Sequence, residues 1–371
     1  MPGVLLMRPA EFVLGLVLVL ATWLSVLRTL VVPRGLASRL TAAVTWLVRV
    51  AFDGVASRFS SYERKDAILV GAGPMTLVAL LAAWVVLFLG GFSLMFLGAN
   101  AQGYTQALRE AGASLFTLGN VSTPRLLPTV VGFFAAGTGL VVVALQIAYL
   151  PTLYAAFNRR ETLVTTLQSR AGSPAWGPEV LARHQIVQTL DNLPAFYAEW
   201  ERWAADVAES HVNYPVLMSF RSPDPLRSWI VGLLAVLDSA ALHLALNPSS
   251  RQSEARLCLR MGFTSLRHLC GAVGIRYDDD PRPDAPLRLT YEDFLVGIAR
   301  LETAGYPMER TPDEAWPHFR GWRVNYEEQA YALARFVEAV PAIWAGPRRG
   351  SPEAMLPVRP PNRQPETPDV S

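Results

Sequence analysis

A short polar run interrupts the most apolar part of the chain at Thr117-Leu118-Gly119-Asn120-Val121. A helix-compatible stretch, Tyr104–Phe116, precedes it, and Ser122-Thr123-Pro124 follows it. Non-helical backbone at membrane depth is tolerated only where protein buries it or water solvates it. A half-length helix followed by a threonine and glycine run therefore indicates the lining of a water-filled pore.

Two long apolar segments flank this loop, at Met75–Gly98 and at Pro128–Phe157. Both are long enough to cross a bilayer, because about 20 apolar residues span its hydrocarbon core. The alternative is an ordinary extracellular connector over residues 101–127 between two spans. The sequence of residues 111–116, Ala-Gly-Ala-Ser-Leu-Phe, is too apolar for a solvated connector and favours a loop that re-enters the membrane.

The order of outer helix, pore helix, Thr-x-Gly and inner helix resembles the pore module of the potassium-channel superfamily. The resemblance covers residues 75–157, and the chain is also similar to three-span, channel-like actinobacterial proteins. It implies that four loops present rings of backbone carbonyls that replace an ion's hydration shell. Thr117 and Gly119 match the family's Thr-Val-Gly-Tyr-Gly, and Leu118 is a conservative replacement.

The resemblance fails at Asn120, where the family has an aromatic residue, and at Val121, where it has a second glycine. A β-branched residue resists positive φ, so Val121 is not expected to complete the outermost carbonyl ring in the usual way. The missing aromatic ring removes a brace between filter and pore helix. Weak discrimination between sodium and potassium is the expected result.

The third apolar segment carries features that a gate would use. Its glycines allow close helix packing or a bend, Pro151 removes a backbone hydrogen bond, and Gln146 is a polar side chain expected to face a water-filled cavity. The glycines are Gly132, Gly137 and Gly139. Helix packing without any gating role explains each glycine equally well.

An earlier segment, Phe12–Val32, is apolar enough to be a first span. A cleaved signal peptide is the alternative, but its apolar core would be shorter, and this segment ends in Arg28 and Arg34. Basic residues are concentrated at 34–66 and again at Arg159 and Arg160. By the positive-inside rule, both clusters indicate an outside amino terminus, an outside loop and a cytoplasmic carboxy-terminal part.

Within the first basic cluster, Leu40, Val44, Leu47, Val48 and Ala51 recur at helical spacing. The pattern predicts an amphipathic helix that either lies on the inner leaflet or is buried against the protein's own domain.

From Asn158 the composition is that of a soluble helical domain, with helices expected over residues 178–190, 194–211, 225–246, 250–273, 290–303 and 311–340. Thr290 and Thr311 begin two of these with capping-box patterns, Thr-Tyr-Glu-Asp and Thr-Pro-Asp-Glu. Trp229–Leu246 is apolar enough for a fourth span. Asp238 and His243 within it favour a buried core helix, because a charged side chain in mid-membrane costs about 3 kcal/mol.

Composition excludes several classes of function. Charged residues make up 17% of the 371 residues and the net charge is +2, without a basic run mixed with aromatics, so a nucleic-acid partner is not expected. Two cysteines, Cys258 and Cys270, give no disulfide framework, and the five histidines are scattered over different helices. The chain has no phosphate-binding glycine loop, nucleophile elbow or His-Glu-x-x-His. We expect no enzyme, metal or cofactor.

These patterns predict an all-α membrane protein with three transmembrane helices, a re-entrant pore loop between the second and third, and an all-α cytosolic domain. The expected divisions are 1–33 first span, 34–70 amphipathic linker, 71–157 pore-like module, 158–345 cytosolic domain and 346–371 disordered tail. The expected function is a homotetrameric cation channel of the plasma membrane that conducts monovalent cations. The alternative is a membrane-anchored sensor or scaffold whose helical domain binds a partner protein.

Overall fold

The computed structural model describes residues 8–32, 38–100, 103–118, 125–250, 253–349 and 353–358. Across these ranges the protein is helical, with two isolated β-bridges and no strand. The helices are α1 (Pro9–Leu30), α2 (Arg39–Ala56), α3 (Tyr62–Leu69), α4 (Ala72–Asn100), α5 (Tyr104–Leu115), α6 (Leu126–Ala171), α7 (Gly177–Ile186), α8 (Leu193–Asn213), α9 (Trp229–Leu246), α10 (Ser253–Ala272), α11 (Tyr291–Thr303), α12 (Pro312–Arg323) and α13 (Glu327–Phe336). The prediction of an all-α chain is confirmed.

The chain forms two compact units. The first comprises the described residues of Met1–Phe157 together with Asn213–Phe220, and the second comprises those of Asn158–Val212 and Arg221–Ser371. Helix α6 therefore contributes to both units. Within the described ranges, four helical segments could cross a membrane by length and composition: α1, the stretch Tyr62–Asn100, α6 and α9. These helices are thus compatible with a multi-pass membrane protein.

Helices α1 and α4 lie antiparallel and pack closely through glycines. The amide of Arg8 donates to the carbonyl of Gly98 at 3.1 Å, while further along α1 the Trp84 indole donates to Ser25 at 3.1 Å. A Cβ on Gly15 would lie 2.5 Å from the carbonyl oxygen of Gly91, so a larger residue does not fit there. Small residues at such a contact let two apolar helices approach and gain dispersion energy.

Helix α6 packs on this pair through one stripe of buried residues at helical spacing, including Val131, Ala135 and Val142. Trp23 of α1 donates its indole N–H to the hydroxyl of Thr138 at 3.2 Å, which adds a polar contact to the apolar stripe. The opposite faces of α1, α4 and α6 expose large apolar side chains, as a lipid-facing surface requires.

Helix α2 begins at a capped turn: the hydroxyl of Ser38 accepts from the amide of Thr41 at 3.1 Å and contacts Ser25 of α1 at 2.7 Å. The predicted amphipathic helix is therefore present. It buries Val48 but leaves Trp46 and Leu47 64% and 62% exposed. Such exposed apolar residues fit the leaflet-bound alternative better than a helix buried on its own domain.

The second unit is built around α9, which is buried along its whole length, and α7, α10, α12 and α13 pack on it. Asp238, the one acidic residue of α9, contacts the buried guanidinium of Arg323. It also accepts a hydrogen bond from the hydroxyl of Tyr326 at 2.8 Å. Arg323 also donates to Glu327 at 2.9 Å. The buried carboxylate of Asp238 is tolerated because a guanidinium and a hydroxyl group both contact it.

Both predicted capping boxes are confirmed, at Thr290 with Asp293 and at Thr311 with Glu314. The single helix expected over residues 311–340 is wrong, because the chain breaks into α12 and α13. The Asn325 side chain donates to the carbonyls of Gly321 and Trp322, both at 3.1 Å. These bonds satisfy carbonyls at the end of α12 and terminate the helix.

The described part of the tail after Gly346 makes several hydrogen bonds to the second unit. Arg348 is buried and donates to the carbonyls of Ala339 and Val340 at 2.8 and 3.1 Å. Val358 exchanges two backbone hydrogen bonds with Ser173. The tail thus gains backbone partners that its composition does not reveal. Residues 350–352 and 359–371 lie outside the described residues.

Candidate functional site

Helix α5 is held between α4 and α6 by one apolar face, formed by Ala107, Ala111 and Leu115. At its middle it is attached to the last residue of α4, since the side-chain amide of Asn100 donates to the carboxylate of Glu110 at 3.0 Å. Its last turn touches α6 at Gly139, where an added Cβ would lie 1.9 Å from the carbonyl oxygen of Leu115. Only glycine permits this backbone contact.

The end of α5 is closed by Thr117, which has a left-handed φ of 54°. The amide of Thr117 donates to the carbonyl of Ser114 at 3.0 Å, and the amide of Leu118 donates to that of Ala113 at 2.9 Å. This pair of bonds is a Schellman motif, in which the left-handed position is usually glycine. A threonine in that position is strained by about 1–2 kcal/mol.

Thr117 therefore caps α5, and its role in an ion pathway stays a prediction. The local amide-to-carbonyl bonds satisfy the end of α5 and select the left-handed turn. Leu118 is 80% exposed in the single chain. The remaining predicted filter residues, Gly119, Asn120 and Val121, lie outside the described residues, so their role in an ion pathway stays a prediction.

The glycines of α6 have different surroundings. Gly139 contacts Leu115 of α5, and a Cβ on Gly132 would meet the hydroxyl of Ser114 at 3.4 Å, whereas a Cβ on Gly137 would meet no atom within 4 Å. Pro151 lies within α6, which continues through it without a break. Packing against α5 thus explains Gly139, while Gly137 is open on the exposed side.

Gln146 lies on the packed stripe of α6, 7% exposed, and its Oε1 has no hydrogen-bond partner among the described residues. The exposed positions of α6 between residues 133 and 148 are instead all glycine, alanine or large apolar residues. Phe133, Phe134, Leu140 and Ile147 are the largest of them. Only a change in packing would bring the amide of Gln146 to a water-filled path.

The pairing of Asn100 with Glu110 is a feature that sequence reasoning missed. Both residues are 2% exposed, and Oδ1 of Asn100 and Oε1 of Glu110 each lack a hydrogen-bond partner in the described part of the chain. The available signal was the single acidic residue of α5, because an acid within a membrane segment usually marks a functional or strongly paired position. The two open oxygens make this a polar site inside the first unit.

In the second unit, the titratable side chains form structural contacts. Within the described ranges, no group of three or more His, Cys, Asp or Glu residues is placed to hold a metal ion. Arg160 is buried between Glu161, at 2.9 Å, and the imidazole of His211, at 3.0 Å. Cys258 and Cys270 are buried, and this burial raises the pKa of both thiols.

Neither a protein-family model nor a curated protein nor a solved structure matches this chain.

Proposed function

We propose that the chain is one subunit of a homotetrameric cation channel of the potassium-channel type, with weak discrimination between sodium and potassium. In this proposal α1, α4 and the first part of α6 span the plasma membrane, α5 is the pore helix, and α9 is a core helix of a cytoplasmic domain. The observation that carries the proposal is the position of α5 between α4 and α6.

The contacts of α5 support a re-entrant helix. Its 12 residues are about 18 Å long, too short to cross a hydrocarbon core of about 30 Å. Glu110 contacts the end of α4, whereas Leu115 contacts α6 at Gly139, about 20 Å along that helix from Leu126. A helix that starts near the end of one span and stops halfway along the next enters and leaves on one side.

The exposed residues after α5 suit coverage by neighbouring copies of the chain. Phe116 and Leu118 follow α5 and are 52% and 80% exposed in the single chain. The non-helical backbone of residues 117 and 118 would meet lipid unless protein or water covers it. A closed ring of identical subunits provides both, because each loop is then shielded by its neighbours and faces a shared axis.

Selectivity follows from the residues at the end of the loop. Asn120 and Val121 replace the aromatic residue and second glycine of the potassium-channel pattern, so the pathway has fewer dehydrating carbonyl sites. Discrimination between the two ions depends on the fit or on the number of coordinating dipoles. Sodium and potassium should therefore permeate with similar ease.

The first experiment measures the mass of the protein after gentle solubilisation into lipid nanodiscs. One loop per chain can line a pore only in a ring, so the expected particle contains four chains. A monomer or a two-fold dimer would contradict the proposal.

The second experiment measures currents in liposomes under opposed sodium and potassium gradients. We expect a reversal potential near zero for the wild type, and no current for Gly119→Val, which forces a branched side chain where the family backbone turns. Gly54→Val is the matched control, because no atom lies within 4 Å of the added Cβ. Strong potassium selectivity of the wild type would refute the argument from Val121.

A second function, a membrane-anchored scaffold, is favoured by the apolar exposed face of α6. Leu140 and Ile147 are 69% and 64% exposed and would suit lipid as well as an apolar pore wall. Cysteines at these positions distinguish the two functions by reaction with a small, water-soluble thiol reagent. A pore predicts labelling at both and none at Val78→Cys, on the exposed face of α4. No labelling at any of the three would support the scaffold.

A further inference from the structure

The second unit contains an open cavity of about 970 Å³ that the proposed conduction does not use. Its walls are the last two turns of α6, the end of α7 with the turn that follows, and the first turns of α8. The volume is at the upper end of the range of about 300–1,000 Å³ for small-molecule sites. The cavity is therefore large enough for a metabolite of nucleotide size.

The cavity wall carries an excess of positive charge. Arg170, Arg183 and Arg202 line it, and Glu199 is the only acidic residue among the lining residues described. Neither Arg170 nor Arg202 has a carboxylate partner in the described part of the chain, and the guanidinium of Arg170 lies over the ring of Phe196 at 5.5 Å. These two cations remain available to an anion.

The third arginine is fixed in place by other groups. Arg183 donates to Glu179 at 2.7 Å and to the carbonyl of Ser169, in the last turn of α6, at 2.8 Å. Glu179 also accepts from Arg300 at 2.7 Å, so one carboxylate serves two guanidinium groups. The positive charge near the cavity is thus only partly neutralised, and Nη2 of Arg183 has no hydrogen-bond partner among the described residues.

His184 adds a fixed acceptor to this wall. It is buried, and its Nδ1 donates to the carbonyl of Val180 at 2.7 Å. Burial lowers the pKa of His184, although the hydrogen bond to Val180 opposes this, and a lowered pKa favours the neutral imidazole. Nε2 is then left with a lone pair that can accept a hydroxyl or amino hydrogen.

We propose that this cavity binds a small organic phosphate of nucleotide size. Arg170 and Arg202 contact the phosphate oxygens, because guanidinium groups match phosphate geometry and charge. His184 accepts a hydrogen bond from a hydroxyl or amino group of the same ligand. Gln168 and Asn192, which also line the cavity, supply further polar contacts. This site is independent of whether the first unit conducts ions.

The test is calorimetric titration of the full-length protein in nanodiscs of neutral lipid, with ATP and sodium pyrophosphate as separate probes. We expect saturable binding of ATP, weaker binding of pyrophosphate, and at least a tenfold loss of ATP affinity in Arg202→Gln and in Arg170→Gln. Arg256→Gln is the control, since Arg256 is an exposed arginine on α10 outside the cavity. Its affinity should equal that of the wild type.

A lipid headgroup could supply the same phosphate chemistry, so the titration is repeated in nanodiscs that contain phosphatidylglycerol. Unchanged ATP affinity supports a soluble ligand, whereas ATP binding abolished by the anionic lipid in the wild type contradicts it. Absence of saturable binding by either probe would overturn the proposal. Equal weakening in Arg202→Gln and Arg256→Gln would also overturn it, because the effect would then come from overall charge. Size-exclusion elution identical to the wild type verifies that each variant is folded.

Discussion

His243 occupies a buried position on α9, between two hydroxyl groups of the second unit. Its Nδ1 lies 2.5 Å from the hydroxyl of Tyr306, and its Nε2 lies 3.0 Å from that of Ser250. Burial lowers the pKa of this imidazole to about 4 from its ordinary value of 6.5. The folded unit therefore keeps His243 neutral where the unfolded chain is protonated.

This shift predicts a loss of stability in acid. Between pH 6.5 and pH 4 the unfolded chain binds a proton that the folded unit does not, so the free energy of unfolding falls as pH falls, by up to about 3 kcal/mol. Urea unfolding at pH 7, 6 and 5 measures the slope, which should be smaller in His243→Gln. His318→Gln, at an exposed site on α12, is the control. Equal slopes in all three proteins would show that His243 is not responsible.

Glu110 is the second residue with a predictable role. Replacing it by leucine leaves the amide of Asn100 buried without its acceptor, which costs about 1–3 kcal/mol. Glu110→Gln keeps an acceptor oxygen and should lose much less. Thermal unfolding in one detergent compares the two variants with the wild type. A leucine variant as stable as the glutamine variant would mean that the hydrogen bond does not hold α5 in place.

At the level of elements, α5 depends on the absence of a side chain at one point of α6. Gly139→Ala would place its Cβ 1.9 Å from the carbonyl oxygen of Leu115, so α5 must shift, at a cost of about 1–3 kcal/mol. Gly137→Ala, two residues away, meets no atom and should be neutral or slightly stabilising. In nanodiscs, the unfolding temperature should therefore fall in Gly139→Ala and stay unchanged or rise slightly in Gly137→Ala. Similar destabilisation by both variants would contradict the packing of α5 on α6.

The elements that the sequence predicted best are those set by local patterns. Apolar segments long enough to span a membrane predicted α1, α4 and α6. The side chains of Thr290 and Thr311 predicted two helix starts, because a capping box is formed within four residues. The break at Asn325 was missed because the apolar pattern continues across it, while its amide bonds to carbonyls on the preceding turn.

The candidate site was less predictable, because its contacts join distant parts of the chain. Asn100 and Glu110 meet only when α5 folds back on α4, and the cavity beside Arg170 and Arg202 exists only when α6, α7 and α8 are assembled. Two local hydrogen bonds cap α5 at Thr117, and the channel motif does not predict this cap. Motif matching takes no account of such local hydrogen bonds.

At the level of the whole molecule, the charge distribution predicts orientation. Basic residues at 34–66 and at Arg159 and Arg160 should remain in the cytoplasm, which places position 65 inside and position 102 outside. A membrane-impermeant thiol reagent applied to intact cells should label Gln102→Cys and should label Lys65→Cys only after lysis. Labelling at position 65 without lysis would reverse the orientation.

The two native cysteines have a practical consequence for every such measurement. Cys258 and Cys270 lie in the core of the second unit, and their raised pKa values keep them in the thiol form, which is not the nucleophile. The wild-type protein should therefore give no background signal with maleimides or spin labels under native conditions. Introduced cysteines are then the labelled sites without mutation of either native one, so the distance between a label on α5 and a label on α6 can be measured with both native cysteines retained.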